Sequence, residues 1–102
     1  MTPIWSDDAL ADIRRLTAHA LDMPDDPFAA ENAARLVQRL VAAGDGLRTF
    51  PLIGKPMGTR RKLVVGVYCM FYRIRRTPLR IDILRVRHGK ELPFGFEDDE
   101  GR

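Results

Sequence analysis

Residues 62–88 read KLVVGVYCMFYRIRRTPLRIDILRVRH, and this stretch decides the fold. Val64, Val65, Val67, Tyr68, Phe71 and Tyr72 give it the β-branched and aromatic texture of strands. Gly66 and Val67 divide its first half into two strands, and Arg75–Arg76–Thr77–Pro78 reads as a turn into a further strand, Leu79–His88. On strict alternation, Ile81 and Ile83 share one face of that strand with Arg85 and Arg87. Leu84 and Val86 then share the other with Asp82 and His88. Apolar groups on both faces predict a central strand, buried in its middle and exposed at its end.

Upstream, LRTFPLIGKPMGTRR (residues 47–61) has no period and reads as an ordered loop. Before it lie two helical patterns. Ser6 reads as an N-cap, with Asp7 and Asp8 in the first turn, where carboxylates suit the helix dipole. Leu10, Ile13, Leu16, Ala20 and Leu21 then recur at helical steps. Asp26 and Pro27 predict the start of a second helix with an apolar face of Ala29, Ala33, Leu36, Val37, Leu40 and Val41, ended by Gly44. The opening Pro3–Trp5 fits a short strand. The order is β-α-α-β-β-β, an α+β domain with a helical hairpin packed on one face of an antiparallel sheet. Residues 1–93 form the single domain, and 94–102 an acidic C-terminal tail.

The chain has 102 residues, 45% hydrophobic and 30% charged, so a single core is expected. No apolar run is long enough to span a bilayer, and the N-terminus lacks a signal peptide's basic start and apolar stretch. A cytoplasmic protein without membrane association is the expectation. One cysteine, Cys69, excludes an internal disulfide and offers no metal-ligand cluster. No cofactor and no metal are expected.

The net charge of +3 hides a division along the chain. Residues 1–31 hold two basic and seven acidic side chains, whereas residues 60–90 hold ten basic ones against Asp82 alone. Such a block points to an anionic partner, nucleic acid or an acidic protein segment, unless it is simply a solvated basic face. Asp82 is expected to pair with an arginine, Cys69 to be a small core residue, and His19 to be solvated. GKPMG lacks the spacing of a phosphate loop.

Arg60, Arg61, Lys62, Tyr68, Tyr72, Arg73, Arg85, Arg87 and His88 form the constellation worth testing. Metal-free RNA cleavage needs a proton acceptor, a proton donor and cations for the charge on phosphorus, and these residue types can fill those roles. They can equally pack, and bind an acidic partner through guanidinium forks.

Four segments in order resemble the ParE/RelE superfamily of toxins from type II toxin–antitoxin systems. These are IWSDDALADIRRL (4–16) with its Ala-x-x-Asp pattern, and DPFAAENAARLVQRLVAAGDGLRTFPLIGKP (26–56) with Leu-x-x-x-Pro-x-x-Gly. GTRRKLVVGVYCMFYRI (58–74) and IDILRVRHGKELP (81–93), with a valine-x-histidine-glycine end, follow. The resemblance implies a sheet curved around a helical hairpin. It also implies a cognate antitoxin that wraps the toxin, and contact with operator DNA only through the antitoxin complex.

The superfamily has two branches. RelE-like members are ribosome-dependent mRNA endoribonucleases, and ParE-like members poison DNA gyrase. The nuclease branch often carries Tyr-Arg-aliphatic-x-Tyr; here YCMFY (68–72) puts Cys69 where the arginine would stand. FGFEDDEGR also replaces a tyrosine-bearing C-terminal extension found in some nucleases. The expectation is therefore a ParE-like gyrase inhibitor of a plasmid-stabilisation module, not an enzyme. Its target- or antitoxin-binding residues would be Arg85, Arg87, His88 and Lys90, with Arg60, Arg61 and Arg73. The alternative is an endoribonuclease with His88 as acid/base and Arg61, Lys62, Arg73 and Arg85 on the phosphate. A third reading is an inactive relative kept for antitoxin binding and regulation.

Overall fold

The computed structural model describes residues 2–91; the acidic tail 94–102 and the domain boundary at residue 93 lie outside them. Strand β1 (Pro3–Trp5) leads into helix α1 (Asp7–Leu21) and helix α2 (Ala29–Gly46). Strands β2 (Lys55–Met57), β3 (Arg60–Val65), β4 (Tyr68–Arg76) and β5 (Leu79–His88) follow, then a short 3-10 turn, Gly89–Glu91. The five strands form one sheet in the order β1-β5-β4-β3-β2. The expected α+β fold is present, with two differences. Lys55–Met57, read as loop, pairs with Arg60–Lys62 as an edge strand. Strand β1 runs parallel to β5, so the sheet is mixed rather than antiparallel. The helical hairpin carries the chain from β1 at one edge of the sheet to β2 at the other.

Both helices cover one face. Leu16 from α1 and Leu36 and Leu40 from α2 pack with Met70, Tyr72, Ile81, Ile83 and Val86 of the sheet. Leu40, Met70, Tyr72, Ile81, Ile83 and Val86 are fully enclosed, and each such side chain contributes roughly 1.5–3 kcal/mol of burial. Ser6 caps α1 as expected, accepting the Ala9 N–H at 3.0 Å. Helix α2 begins at Ala29 rather than at Pro27. Asp26 instead holds the approach, its carboxylate accepting from the Phe28 N–H and the Asn32 amide, both at 2.8 Å. Gly44 does not end the helix. It lies against Trp5, where a Cβ would come within 2.5 Å of the indole, so its smallness serves packing. At the β3–β4 turn, Gly66 has φ +63°, which a side chain would oppose.

The alternation expected along β5 breaks at Leu84. Tyr72 pairs with Ile83 and Phe71 with Arg85, so Leu84 is an extra residue, a β-bulge. The bulge moves the phase by one. Val86 and His88 therefore join Ile81 and Ile83 on the helix side, and Arg85 and Arg87 do not. Arg85 lies across from Phe71, and Arg87 across from Cys69, on the helix-free side.

Helix α1 and its N-cap supply partners for the backbone polar groups of β5 around the bulge. Ser6 donates its N–H to the Ile83 carbonyl and its hydroxyl to the Leu84 carbonyl, both at 2.9 Å. Asp12 accepts the Val86 N–H at 2.9 Å and grips Arg85 with both oxygens, at 2.9 Å from Nε and 3.1 Å from the second nitrogen. Asp12 is buried, at 4% exposure. Burial pushes its carboxyl up, but the Arg85 hydrogen bonds, the Val86 N–H and the Arg85 and Arg87 charges outweigh it and hold it below the ordinary 3.8.

Candidate functional site

The residues singled out from sequence fall on two sides of the sheet. On the helix side, Tyr68 and His88 face each other across β4 and β5, ring centroids 5.4 Å apart and nearly perpendicular. With Arg15, His19 and Asn32 from the helices and Lys90 from the closing turn, they line a groove of about 610 Å³. His88 Nδ1 accepts the Lys90 N–H at 3.0 Å. His19, expected to be solvated, is exposed, but it also lines this groove.

Arg61 is on the helix side too, but elsewhere. Its partner across the strands is Tyr72, four residues along β4 from the Tyr68–His88 pair, or about 13 Å. Its guanidinium donates to the carbonyls of Gly54, at 2.7 Å, and Leu52, at 3.3 Å. Tyr72 braces the same loop. Its hydroxyl donates to the Pro51 carbonyl at 2.6 Å and accepts the Gly54 N–H at 2.9 Å. Burial pushes the Tyr72 phenol up, against the Gly54 N–H and the Arg61 charge, so it stays protonated and cannot serve as a base near neutral pH. The loop thus held presents Phe50, Leu52 and Ile53 to solvent.

Cations gather on the helix-free face. Strand register places Lys55, Arg60, Lys62, Arg73, Arg75, Arg80, Arg85 and Arg87 there, with Asp82 as the acid among them. Asp82 meets the expected arginine partner three times over: Arg80 at 2.8 Å, Arg73 at 3.6 Å and Arg75 at 3.8 Å. Cys69 is buried on this face, in no disulfide, between Val64 and Arg87 in the pairing, as a core-like residue should be. Arg85 is engaged with Asp12, which holds the guanidinium protonated against its partial burial.

Arg61, Lys62, Arg73, Arg85 and His88 therefore do not converge. His88 opens on the groove, Arg61 braces a loop at the other end of β4, Lys62 and Arg73 belong to the opposite face, and the Arg85 guanidinium is held at the helix–sheet seam by Asp12. Sequence reasoning missed Arg75, Arg76 and Arg80 as site candidates. Their signal was the turn itself: arginines on both sides of Thr77–Pro78 must meet at one hairpin end. Among the described residues, no group of three or more His, Cys, Asp or Glu could hold a metal ion, and no helix is long and apolar enough to cross a membrane.

The arrangement is one of binding surfaces: a five-stranded sheet with a helical hairpin on one side and a guanidinium field on the other. Solved structures share the fold. The chromosomal ParDE toxin–antitoxin system from P. aeruginosa aligns with a TM-score of 0.72 at 22% identity, covering 86% of this chain and 95% of that one. The toxin–antitoxin complex RelBE2 from Mycobacterium tuberculosis aligns with a TM-score of 0.57 at 28% identity, covering 85% and 95%. A search of the curated proteins found no match. The family described as the ParE toxin of the type II toxin–antitoxin system parDE matches residues 4–93. The chain belongs to this ParE toxin family.

Proposed function

We propose that this toxin inhibits DNA gyrase by binding rather than by catalysis, and that a cognate antitoxin holds it inactive in the cytoplasm as part of a plasmid-stabilisation module. The dispersal of the would-be nuclease residues carries this reading. Cleavage of RNA requires acid/base groups and phosphate-binding cations around one scissile bond. Here Lys62 and Arg73 lie on the face opposite His88, Arg61 stands about 13 Å away along β4, and Arg85 is tied to Asp12. Cys69, in place of a cationic fork, supports the same branch.

Arg85 and Arg61 are committed to Asp12 and to loop carbonyls. Contact with gyrase or antitoxin then falls mainly to Arg87, His88 and Lys90 at the end of β5, with Arg60 and Arg73 behind them. The test is induction of the full chain without antitoxin, together with a supercoiling assay on purified gyrase. Blocked supercoiling with uncut messages is the expected outcome. Active gyrase alongside messages cut at codon positions on translating ribosomes would overturn it and favour the endoribonuclease. Co-expression with the neighbouring reading frame tests the antitoxin: a stable complex that restores growth is expected.

A further inference from the structure

The closed end of the β4–β5 hairpin carries charge that the fold does not balance. Arg75 and Arg80 are direct cross-strand partners, and like charges directly opposite destabilise a strand pair. Arg73 pairs across to Asp82, and Arg76 is exposed beside the turn. Three guanidiniums, Arg73, Arg75 and Arg80, thus surround one carboxylate. Only Arg80 hydrogen-bonds to it, at 2.8 Å; the Arg73 and Arg75 nitrogens stand at 3.6 and 3.8 Å, beyond hydrogen-bond reach. The Arg73, Arg75 and Arg80 side chains remain 42%, 44% and 39% exposed. Asp82 therefore orients the cluster without neutralising it.

We propose that this hairpin end is a phosphate-binding site through which the toxin itself grips the backbone of duplex DNA. Guanidinium forks match phosphate oxygens, and their spread over two strands suits a linear polyanion. A folded protein partner would need buried apolar or aromatic anchors at the centre of its contact. This end offers Leu79 alone among its exposed large apolar residues. A single strand would need rings to stack on. Among the described residues, the aromatic side chain on the helix-free face is Phe71, which is 1% exposed, and Tyr68 and Tyr72 point to the helix side. The inference goes beyond gyrase inhibition, since it gives the toxin a DNA contact of its own, made without antitoxin or gyrase.

Fluorescence anisotropy of the full chain with a labelled duplex DNA of about 20 base pairs and arbitrary sequence tests it. Three phosphate contacts give a log–log salt slope of about −2.7, so raising salt from about 50 to about 200 mM should weaken binding about 40-fold. Arg75→Gln with Arg80→Gln should flatten that slope by about 1.8, while Arg14→Gln, an exposed arginine on α1, should leave it unchanged. Circular dichroism and antitoxin binding confirm that both variants are folded. Absence of salt-dependent binding to the DNA duplex would overturn the proposal. So would equal losses in the two variants, a clear preference for duplex RNA, or polyglutamate binding as tightly as DNA. The assay contains no gyrase, so its failure leaves the gyrase reading standing.

Discussion

Replacing Asp12 should be the most damaging single change on the helix–sheet seam. Its carboxylate takes three hydrogen bonds, two from Arg85 and one from the Val86 N–H. Asp12→Ala strands a guanidinium and a backbone donor at once. Removing one partner of a fully buried ion pair costs about 3–5 kcal/mol. The Arg85 side chain is 27% exposed, so water recovers part of that. An unpaired buried N–H adds about 1–3 kcal/mol. The net expectation is about 3 kcal/mol. At a urea m-value of about 1.5 kcal/mol/M, the unfolding midpoint should fall by roughly 2 M. Asp12→Asn keeps an acceptor for Val86 but loses the charge, so about half that loss is expected. A double-mutant cycle with Arg85→Ala should give a coupling of about 1–3 kcal/mol. If Asp12→Ala stays within about 0.5 kcal/mol of the parent in urea unfolding, the role given to Asp12 is wrong.

The same group sets a pH dependence. The folded carboxyl lies below 3.8, so its contribution is fully present above that value and is lost as pH falls through the folded value. The stability gap between the parent and Asp12→Asn should therefore hold at neutral pH and narrow below about pH 4. A gap that widens with acid would contradict the sign.

Three further outcomes follow from the same structure. Ser6→Ala removes both an N-cap acceptor and the donor to the Leu84 carbonyl, and should lower stability by about 1–2 kcal/mol in urea unfolding. Tyr72→Phe leaves the Gly54 N–H and the Pro51 carbonyl unpaired; it should cost about 1–3 kcal/mol, and the Gly54 amide should exchange faster by hydrogen-exchange mass spectrometry. Gly44→Ala places a Cβ 2.5 Å from the Trp5 indole and 3.1 Å from Ile83 Cδ1, and should cost about 1–3 kcal/mol in thermal unfolding, with a changed Trp5 fluorescence.

The parts of the fold that were legible in sequence are those that follow local periodicity. The apolar steps of α1 and α2, the Gly66 turn and the strand character of Tyr68–Arg76 needed no tertiary information. What escaped depended on partners distant in sequence. Lys55–Met57 is only a strand because Arg60–Lys62 offers it a ladder. The bulge at Leu84 is invisible to alternation, because it is held by Ser6 and Asp12, more than 70 residues away. Asp12 stood in the Ala-x-x-Asp pattern, yet nothing local shows that its partner is Arg85. For the site, the basic block was legible as charge, but its division between two faces was not. One extra residue reverses the side on which every later side chain of β5 appears.

That reversal is what links the core to the surface. Had β5 stayed regular through Leu84, Arg85 and Arg87 would have followed Ile81 and Ile83 onto the helix-covered face. Two guanidiniums would then sit in the space that Val86 and the Tyr68–His88 pair occupy, at the desolvation cost of buried charge. The bulge instead sends Val86 into the core, His88 to the groove, and the arginines outward. Asp12 holds the bulge by its Val86 bond and neutralises Arg85, the guanidinium nearest the seam, leaving Arg87 and the hairpin arginines to face an anionic partner. A helix residue thereby decides which cations the sheet can offer. Loss of Asp12 should consequently reach beyond stability and weaken partner binding at Arg87 and His88, even where the chain remains folded.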